Sequence, residues 1–139
     1  MFVSVTLTPY FTICLATPHI STDLGYAARN GDMTTMHQIC NNYNTEHLNL
    51  DSALCLSSSY NNLAEMRYLI SKGAKNTETA LVCAALRNQL DAVRFLVCKE
   101  RCKIPAINLE EAISLAKDSG SVEVEKYLRM KLAHHQTWL

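Results

Sequence analysis

The amino-acid sequence predicts an all-α fold, a short solenoid of about four helix-turn-helix repeats. The first observation behind this prediction is the apolar pattern of Thr79–Lys99, which fits the 3.6-residue period of two short helices separated by a break at Asn88. The second is that the same unit recurs three more times along the chain. A helix pair this short has apolar surface on more than one side, so it needs similar neighbours in order to bury that surface.

The four units share one internal register. Their leading apolar residues are Leu24, Leu54, Leu81 and Ile113, and their break residues are Gly31, Asn61, Asn88 and Gly120. Every leading residue precedes its break residue by seven positions, whereas successive leading residues are 30, 27 and 32 positions apart. Because glycine and asparagine tolerate the left-handed backbone conformation that ends a helix, we expect that conformation at all four breaks.

Residues 1–21 are predicted to be an N-terminal segment that covers the open side of the first repeat, because an end repeat has no neighbour there. The alternation in Phe2–Leu7 has β character, and Pro9 and Pro18 are expected to break any helix. A cleaved signal peptide, a membrane tether, a disordered segment and a truncated repeat are the alternatives. The segment has no basic residue near its start, and polar residues interrupt its apolar run, which disfavours a signal and a membrane span.

The repeat domain is predicted at residues 22–132, with units at about 22–50, 51–76, 77–108 and 109–132, before a frayed tail at 133–139. The predicted N-terminal caps of the first three first helices are Thr22 or Asp23, Asp51 or Ser52, and Thr77 or Thr79. Asn108 precedes the predicted start of the last helix pair, and Gly73 is predicted to end the second helix of the second unit. In the last unit, Lys117, Glu125 and Arg129 replace small or apolar residues of the other units. A repeat whose far side becomes polar is expected to be a terminal cap.

Several segments resemble one known family. Thr79–Leu81 with Ala84-Ala85 matches the opening of an ankyrin repeat, Asn62–Ile70 its second helix, Lys72–Ala74 its closing Gly-Ala, and Ala27–Asp32 its turn. The chain therefore resembles the ankyrin repeats over most of its length. The Pro and His of that family's opening are absent from every unit, and most spacings are below the usual ~33 residues. The connections between units are therefore either the family's hairpins or simple turns.

The resemblance implies a non-catalytic protein-binding module. In such an array the stacked first helices form a slightly concave surface, here called the first-helix wall, which contacts the partner. The residues that the resemblance places on this wall are Tyr26, Arg29, Asn30, Tyr60, Leu86, Arg87, Asp118 and Ser119. Arrays of this kind occur in large DNA viruses and intracellular bacteria, which implies a host protein as partner and the host cytoplasm as location for a chain of that origin.

Composition and motifs exclude other functions. Lys+Arg 13 and Asp+Glu 13 balance, and the basic residues of the second helices have acidic neighbours, which argues against nucleic acid or a membrane as partner. The sequence has no phosphate-binding loop, no Gly-x-Ser-x-Gly and no His-Glu-x-x-His, so we expect neither an enzyme nor a cofactor. We expect a cytoplasmic monomer that binds a protein of unknown identity.

Cysteine provides the alternative hypothesis. The chain has six cysteines, and we interpret Cys40, Cys55 and Cys83 as small core residues in a reducing compartment. The exception is Cys98-x3-Cys102 with His134 and His135 downstream, which has ligand types that suit zinc. Cys102 also lies among basic residues that favour a reactive thiolate. A small metal- or redox-sensing protein is therefore the alternative function.

Overall fold

A computed structural model describes the backbone of residues 9–100 and 106–137 and the side chains of residues 20–98 and 108–134. Within these residues the chain forms eight α-helices, one short 3-10 helix at Thr45–His47 and no strand, so the all-α prediction is confirmed. The helices are α1 (Pro9–Asn30), α2 (Met33–Asn42), α3 (Leu50–Ser59), α4 (Leu63–Lys72), α5 (Thr77–Leu86), α6 (Leu90–Glu100), α7 (Ala106–Asp118) and α8 (Val122–Thr137).

The helices form two layers. The odd-numbered helices pack side by side in chain order, α1 on α3, α3 on α5 and α5 on α7. Each also packs against the even-numbered helix that follows it. The leading residues Leu24, Leu54 and Leu81 are buried between the layers, where they meet buried side chains such as Met66 and Leu96 of the second helices. The array therefore has one continuous core, as expected for repeats that cannot be stable alone.

All four break residues adopt the left-handed conformation. The φ angles are +73° at Gly31, +61° at Asn61, +56° at Asn88 and +75° at Gly120. Gly73 likewise ends α4 with a φ of +116°. These five predictions from the sequence are confirmed, because the residues that tolerate a positive φ occur where the chain must turn between helices.

The two asparagine breaks also connect neighbouring repeats. Asn61 Oδ1 accepts a hydrogen bond from the backbone N–H of Ala92 at 2.9 Å, and Asn88 Oδ1 accepts one from that of Val124 at 3.4 Å. Each N–H is the third of the next repeat's second helix and has no partner within its own helix. The asparagines therefore cap helices of the following repeat, whereas the glycine breaks cannot.

The residue after the break makes a reciprocal contact with the preceding repeat. Asn62 Nδ2 donates to the carbonyl oxygens of Ala28 and Arg29, both at 2.8 Å. Gln89 Nε2 donates to the carbonyl oxygen of Ser59 at 3.0 Å. These carbonyls lie at the C-terminal ends of α1 and α3, where helices leave acceptors without partners. Side-chain amides thus satisfy backbone groups on both sides of the interface between repeats.

The structure contradicts the predicted helix starts. Thr22 and Asp23 lie inside α1, which begins at Pro9 and continues through Pro18. Proline at a helix's first position loses no hydrogen bond, but the continuation through Pro18 contradicts the predicted break. The first helix of the last pair begins at Ala106, before Asn108. Of the predicted N-terminal segment, residues 1–21, residues 1–8 lie outside the described residues and residues 9–21 belong to α1.

The caps of α3 and α5 are asparagines that precede the predicted residues. Asn49 Oδ1 accepts from the N–H of Ser52 at 3.0 Å, and Asn76 Oδ1 accepts from that of Thr79 at 3.1 Å. The predicted caps Asp51, Ser52, Thr77 and Thr79 therefore lie in the first turns of these helices. Asp51 instead accepts hydrogen bonds from the N–H groups of Lys75 and Asn76, which connects α3 to the loop before α5.

The second helices are joined by a ladder of ring contacts. The rings of His37 and Tyr68 lie 4.3 Å apart between centroids, in an edge-to-face arrangement. The guanidinium of Arg67 lies 5.4 Å from the centre of the Phe95 ring, and that of Arg94 lies 5.6 Å from the centre of the Tyr127 ring. In each pair one side chain comes from a second helix and the aromatic ring from the next one. Such contacts contribute about 0.5–1 kcal/mol each at exposed sites.

Candidate functional site

The structure places the predicted wall residues at or near the C-terminal ends of the first helices. Seven of the eight are exposed and Tyr60 is half-buried. Tyr26 of α1 and Leu86 of α5 are large apolar side chains that are 55% and 43% exposed. Asp118 and Ser119 lie at the end of α7, where the Ser119 hydroxyl donates to the Ala116 carbonyl oxygen at 3.1 Å.

Three of the wall residues, from three successive repeats, contact one another. The guanidinium carbon of Arg29 lies 4.9 Å from the centre of the Tyr60 ring, and that of Arg87 lies 4.8 Å from the same centre. Arg29 belongs to α1, Tyr60 caps the end of α3 and Arg87 caps the end of α5. We call Arg29, Tyr60 and Arg87 the arginine–tyrosine cluster. The ring holds both long arginine side chains near one place, although each remains exposed.

Among the described side chains, neither arginine of the cluster has a carboxylate within 4 Å of its guanidinium. Two other arginines do have such partners, since Arg94 lies 4.0 Å from Asp91 and Arg129 lies 2.8 Å from Glu125. The cluster is therefore a local concentration of positive charge on a chain whose charged residues balance.

A groove adjoins the cluster. It lies between α1 and α3 and has a volume of about 530 Å³; we call it the α1–α3 groove. Its lining consists of Ser21, Thr22, Gly25, Tyr26, Arg29, Asn49, Ser52 and Leu56. A Cβ atom at Gly25 would lie 3.0 Å from Leu56 Cδ1, so glycine allows the groove floor to approach α1 closely. Arg29 belongs both to the groove and to the arginine–tyrosine cluster.

The sequence analysis did not identify this groove. One signal for it was present: the residue after the leading apolar residue is Gly25 in the first unit, whereas the other units have Cys55, Val82 and Ser114 there. A glycine inside a helix costs about 1 kcal/mol relative to alanine, so it indicates a close approach or an open space beside the helix.

Two half-buried cysteines lie together beneath the wall. The thiols of Cys55 in α3 and Cys83 in α5 contact each other. The hydrogen bond from Cys55, the Ser59 hydroxyl and the positive charge of Arg87 lower the pKa of Cys83 to about 6, against the opposing effect of burial. The same contact, together with burial, raises the pKa of Cys55. A shared proton of this kind makes Cys83 the more nucleophilic thiol.

The cysteines of the alternative hypothesis are less completely described. Cys98 is exposed, while Cys102 and the side chain of His135 lie outside the described residues. The Cys98 thiol lies beside Tyr127, where burial, followed by the neighbouring thiol, raises the pKa of Tyr127 to about 12. Among the described side chains, no group of three or more His, Cys, Asp or Glu residues is placed to hold a metal ion.

Comparison with known proteins identifies the repeats. The family model described as ankyrin repeats (3 copies) matches residues 24–108. No curated protein shows a significant match to the chain. Within the described part of the chain, no helix is both long enough and apolar enough to cross a membrane. The matched range contains the leading residues, breaks and buried second-helix residues of the first three helix pairs.

Proposed function

Because the chain belongs to the ankyrin-repeat family, we propose that it is a non-catalytic protein that binds a partner protein through the first-helix wall. Ankyrin repeats are in general protein–protein interaction modules. The observation that carries the choice of surface is the arginine–tyrosine cluster, in which exposed arginines of the first and third repeats both contact the half-buried Tyr60 of the second. The proposed binding domain comprises residues 22–132.

The physical argument is that the wall offers contact area already held in position. Tyrosine and arginine are the residue types that most often dominate binding energy, since each combines a large contact area with polar groups. The Arg29 and Arg87 side chains are both held against Tyr60, so they lose less conformational freedom on binding than isolated surface arginines would. The exposed Tyr26 and Leu86 supply apolar area on the same wall.

We further propose that the chain acts as a monomer in the cytoplasm, that nucleic acid and membranes are not its partners, and that the partner is a host protein if the chain has a viral or bacterial origin. The balance of 13 basic and 13 acidic residues supports the exclusion of nucleic acid and membranes as partners. Cys55 and Cys83, which are half-buried within helices, suit the role of small core residues in a reducing compartment. Light scattering of the purified chain tests the monomer, and a mass twice that of one chain would contradict it.

The test of the binding surface uses two matched pairs of exposed apolar residues. Tyr26→Ala with Leu86→Ala alters the wall, while Val122→Ala with Met130→Ala removes side chains that are 68% and 49% exposed on α8. Partners are captured from cell lysate, identified by mass spectrometry, purified and titrated against each variant. We expect the wall variant to lose affinity at least about tenfold and the α8 variant to retain it. Equal affinity of the two variants, or the absence of any direct partner, would refute the proposal.

A further inference from the structure

We infer that the partner contributes an acidic linear segment, with one apolar side chain in the α1–α3 groove and two carboxylates at the arginine–tyrosine cluster. This inference rests on the proposed function, because it names the chemistry of the partner at the same wall. Three observations carry it: two arginines with no carboxylate within 4 Å among the described side chains, one ring that contacts both, and a groove lined by one of these arginines.

The charge of the occupant follows from the arginines. Both guanidinium carbons lie within 5 Å of one ring centre, so they are at most about 10 Å apart, comparable with the screening length of about 8 Å at physiological salt. Their repulsion is therefore not fully screened. Carboxylates placed beside them relieve it and form the strong, charge-assisted hydrogen bonds for which guanidinium groups are suited.

The apolar residue of the occupant follows from the groove. Leu56, Gly25 and the exposed Tyr26 supply the apolar part of the lining, beside the polar side chains that line the rest of the groove. Hydroxyl groups of Ser21 and Ser52 lie in the lining, where they suit the backbone of a peptide. A volume of about 530 Å³ accommodates one large apolar side chain with part of its backbone.

The spacing of the occupant follows from the shared arginine. Arg29 lines the groove, and Arg87, at the end of α5, lies 4.8 Å from the centre of the Tyr60 ring that Arg29 also contacts. An extended chain advances about 3.3–3.6 Å per residue, so a separation of up to about 10 Å corresponds to two or three residues. The expected motif is an apolar residue, an acidic residue next to it or one position away, and a second acidic residue two or three positions further on.

The first experiment selects peptides without assuming a partner. A random linear peptide library displayed on phage is panned against the immobilised full-length chain. Selection of the motif above supports the inference, and selection of neutral or basic peptides overturns it. A selected peptide is then synthesised with Glu and Asp, and again with Gln and Asn in their places. We expect the amide form to bind at least about tenfold more weakly by fluorescence anisotropy.

The second experiment assigns binding to the cluster and the groove. Arg29→Gln with Arg87→Gln removes two charges from the wall, and the control Arg67→Gln with Arg94→Gln removes two arginines that also lie over aromatic rings, but on the second helices. Ser52→Phe fills the groove and leaves both wall arginines in place. We expect the wall pair and Ser52→Phe each to weaken peptide binding about tenfold, and the control to change it less than twofold. Equal loss in the wall pair and the control overturns the assignment.

The experiments distinguish failure of the proposed function from failure of the inference of an acidic segment. If no linear peptide is selected, yet the lysate partner still requires Tyr26 and Leu86, the wall binds a folded surface and the inference of an acidic segment is wrong. If acidic peptides bind but no protein does, the chemistry of the site stands and the proposed function is wrong. Far-UV circular dichroism with matching melting curves shows that each variant is folded.

Discussion

The hydrogen bonds across repeats predict a specific ranking of variants at the breaks. Asn61 has a φ of +61° and caps the next second helix through its 2.9 Å bond to Ala92. Asn61→Gly removes the capping side chain but keeps a residue that tolerates a positive φ. Asn61→Ala removes the capping side chain and also introduces a residue that is strained at a positive φ. Gly120→Ala introduces strain alone, because φ there is +75° and a Cβ atom would meet nothing within 4 Å.

The magnitudes follow from these separate effects. Loss of an N-cap side chain costs about 1 kcal/mol. A left-handed conformation costs a residue other than glycine or asparagine about 1–2 kcal/mol. We therefore expect the free energy of unfolding to decrease by about 1 kcal/mol in Asn61→Gly, about 2–3 kcal/mol in Asn61→Ala, and about 1–2 kcal/mol in Gly120→Ala. For a chain of 139 residues, each kcal/mol corresponds to roughly 3–4 °C in Tm.

Urea titration followed by circular dichroism at 222 nm measures the free energy of unfolding of the three variants and the parent chain. The free energy of unfolding should be lower in Asn61→Ala than in Asn61→Gly by the cost of backbone strain at that position. This difference should equal the decrease caused by Gly120→Ala within about 0.5 kcal/mol, because the two sites are far apart and share no partner. Equal stability of Asn61→Gly and the parent chain would refute the cap between repeats. Equal stability of Asn61→Ala and Asn61→Gly would refute the strain argument.

The same structure predicts three further outcomes. Gly31→Asn should stabilise the chain by about 0.5–1 kcal/mol, because φ at residue 31 is +73° and an asparagine there can cap the start of α4 as Asn61 caps the start of α6. A melting curve measures this effect, and a Tm below that of the parent chain would contradict it. Tyr68→Phe should change the free energy of unfolding by less than about 1 kcal/mol, because the buried hydroxyl meets no stronger hydrogen-bonding group among the described residues than the Cys40 thiol. A loss above about 1 kcal/mol in urea titration would contradict this. Iodoacetamide should alkylate Cys83 before its neighbour Cys55, at a rate that levels off above about pH 7, because the thiolate is the nucleophile and the pKa of Cys83 is lowered to about 6. Mass spectrometry follows the rate at Cys83, and a rate still rising from about pH 8 to 9 would contradict the shift.

The candidate site was predicted in its residues but not in its arrangement. Arg29, Tyr60 and Arg87 were placed on the first-helix wall individually, by resemblance to ankyrin repeats. The sequence contains no sign that two arginines share one ring, because they come from helices in three different repeats and meet through packing. The α1–α3 groove was missed for the same reason: its lining comes from α1, from α3 and from the residue before α3.

The errors at helix starts have a local physical cause. Asn49 and Asn76 are as good at capping as the Ser, Thr and Asp residues that follow them, so composition did not distinguish the cap from the first turn. Asp51 is used instead to accept two backbone N–H groups of another loop. That role depends on a contact between α3 and a segment more than twenty positions later, which local patterns do not contain.

The sequence by itself determined the helix class, the pairing of helices and the four left-handed breaks, because each depends on the period of apolar residues and on where Gly or Asn occurs. The tertiary structure alone decided which side chains meet across repeats: the caps of Asn61 and Asn88, the ladder of ring contacts, the thiol pair of Cys55 and Cys83, and the arginine–tyrosine cluster. The reason is one of range. Backbone conformation is set by neighbours within a few positions, whereas these contacts join residues about 30 positions apart, brought together when one repeat packs on the next.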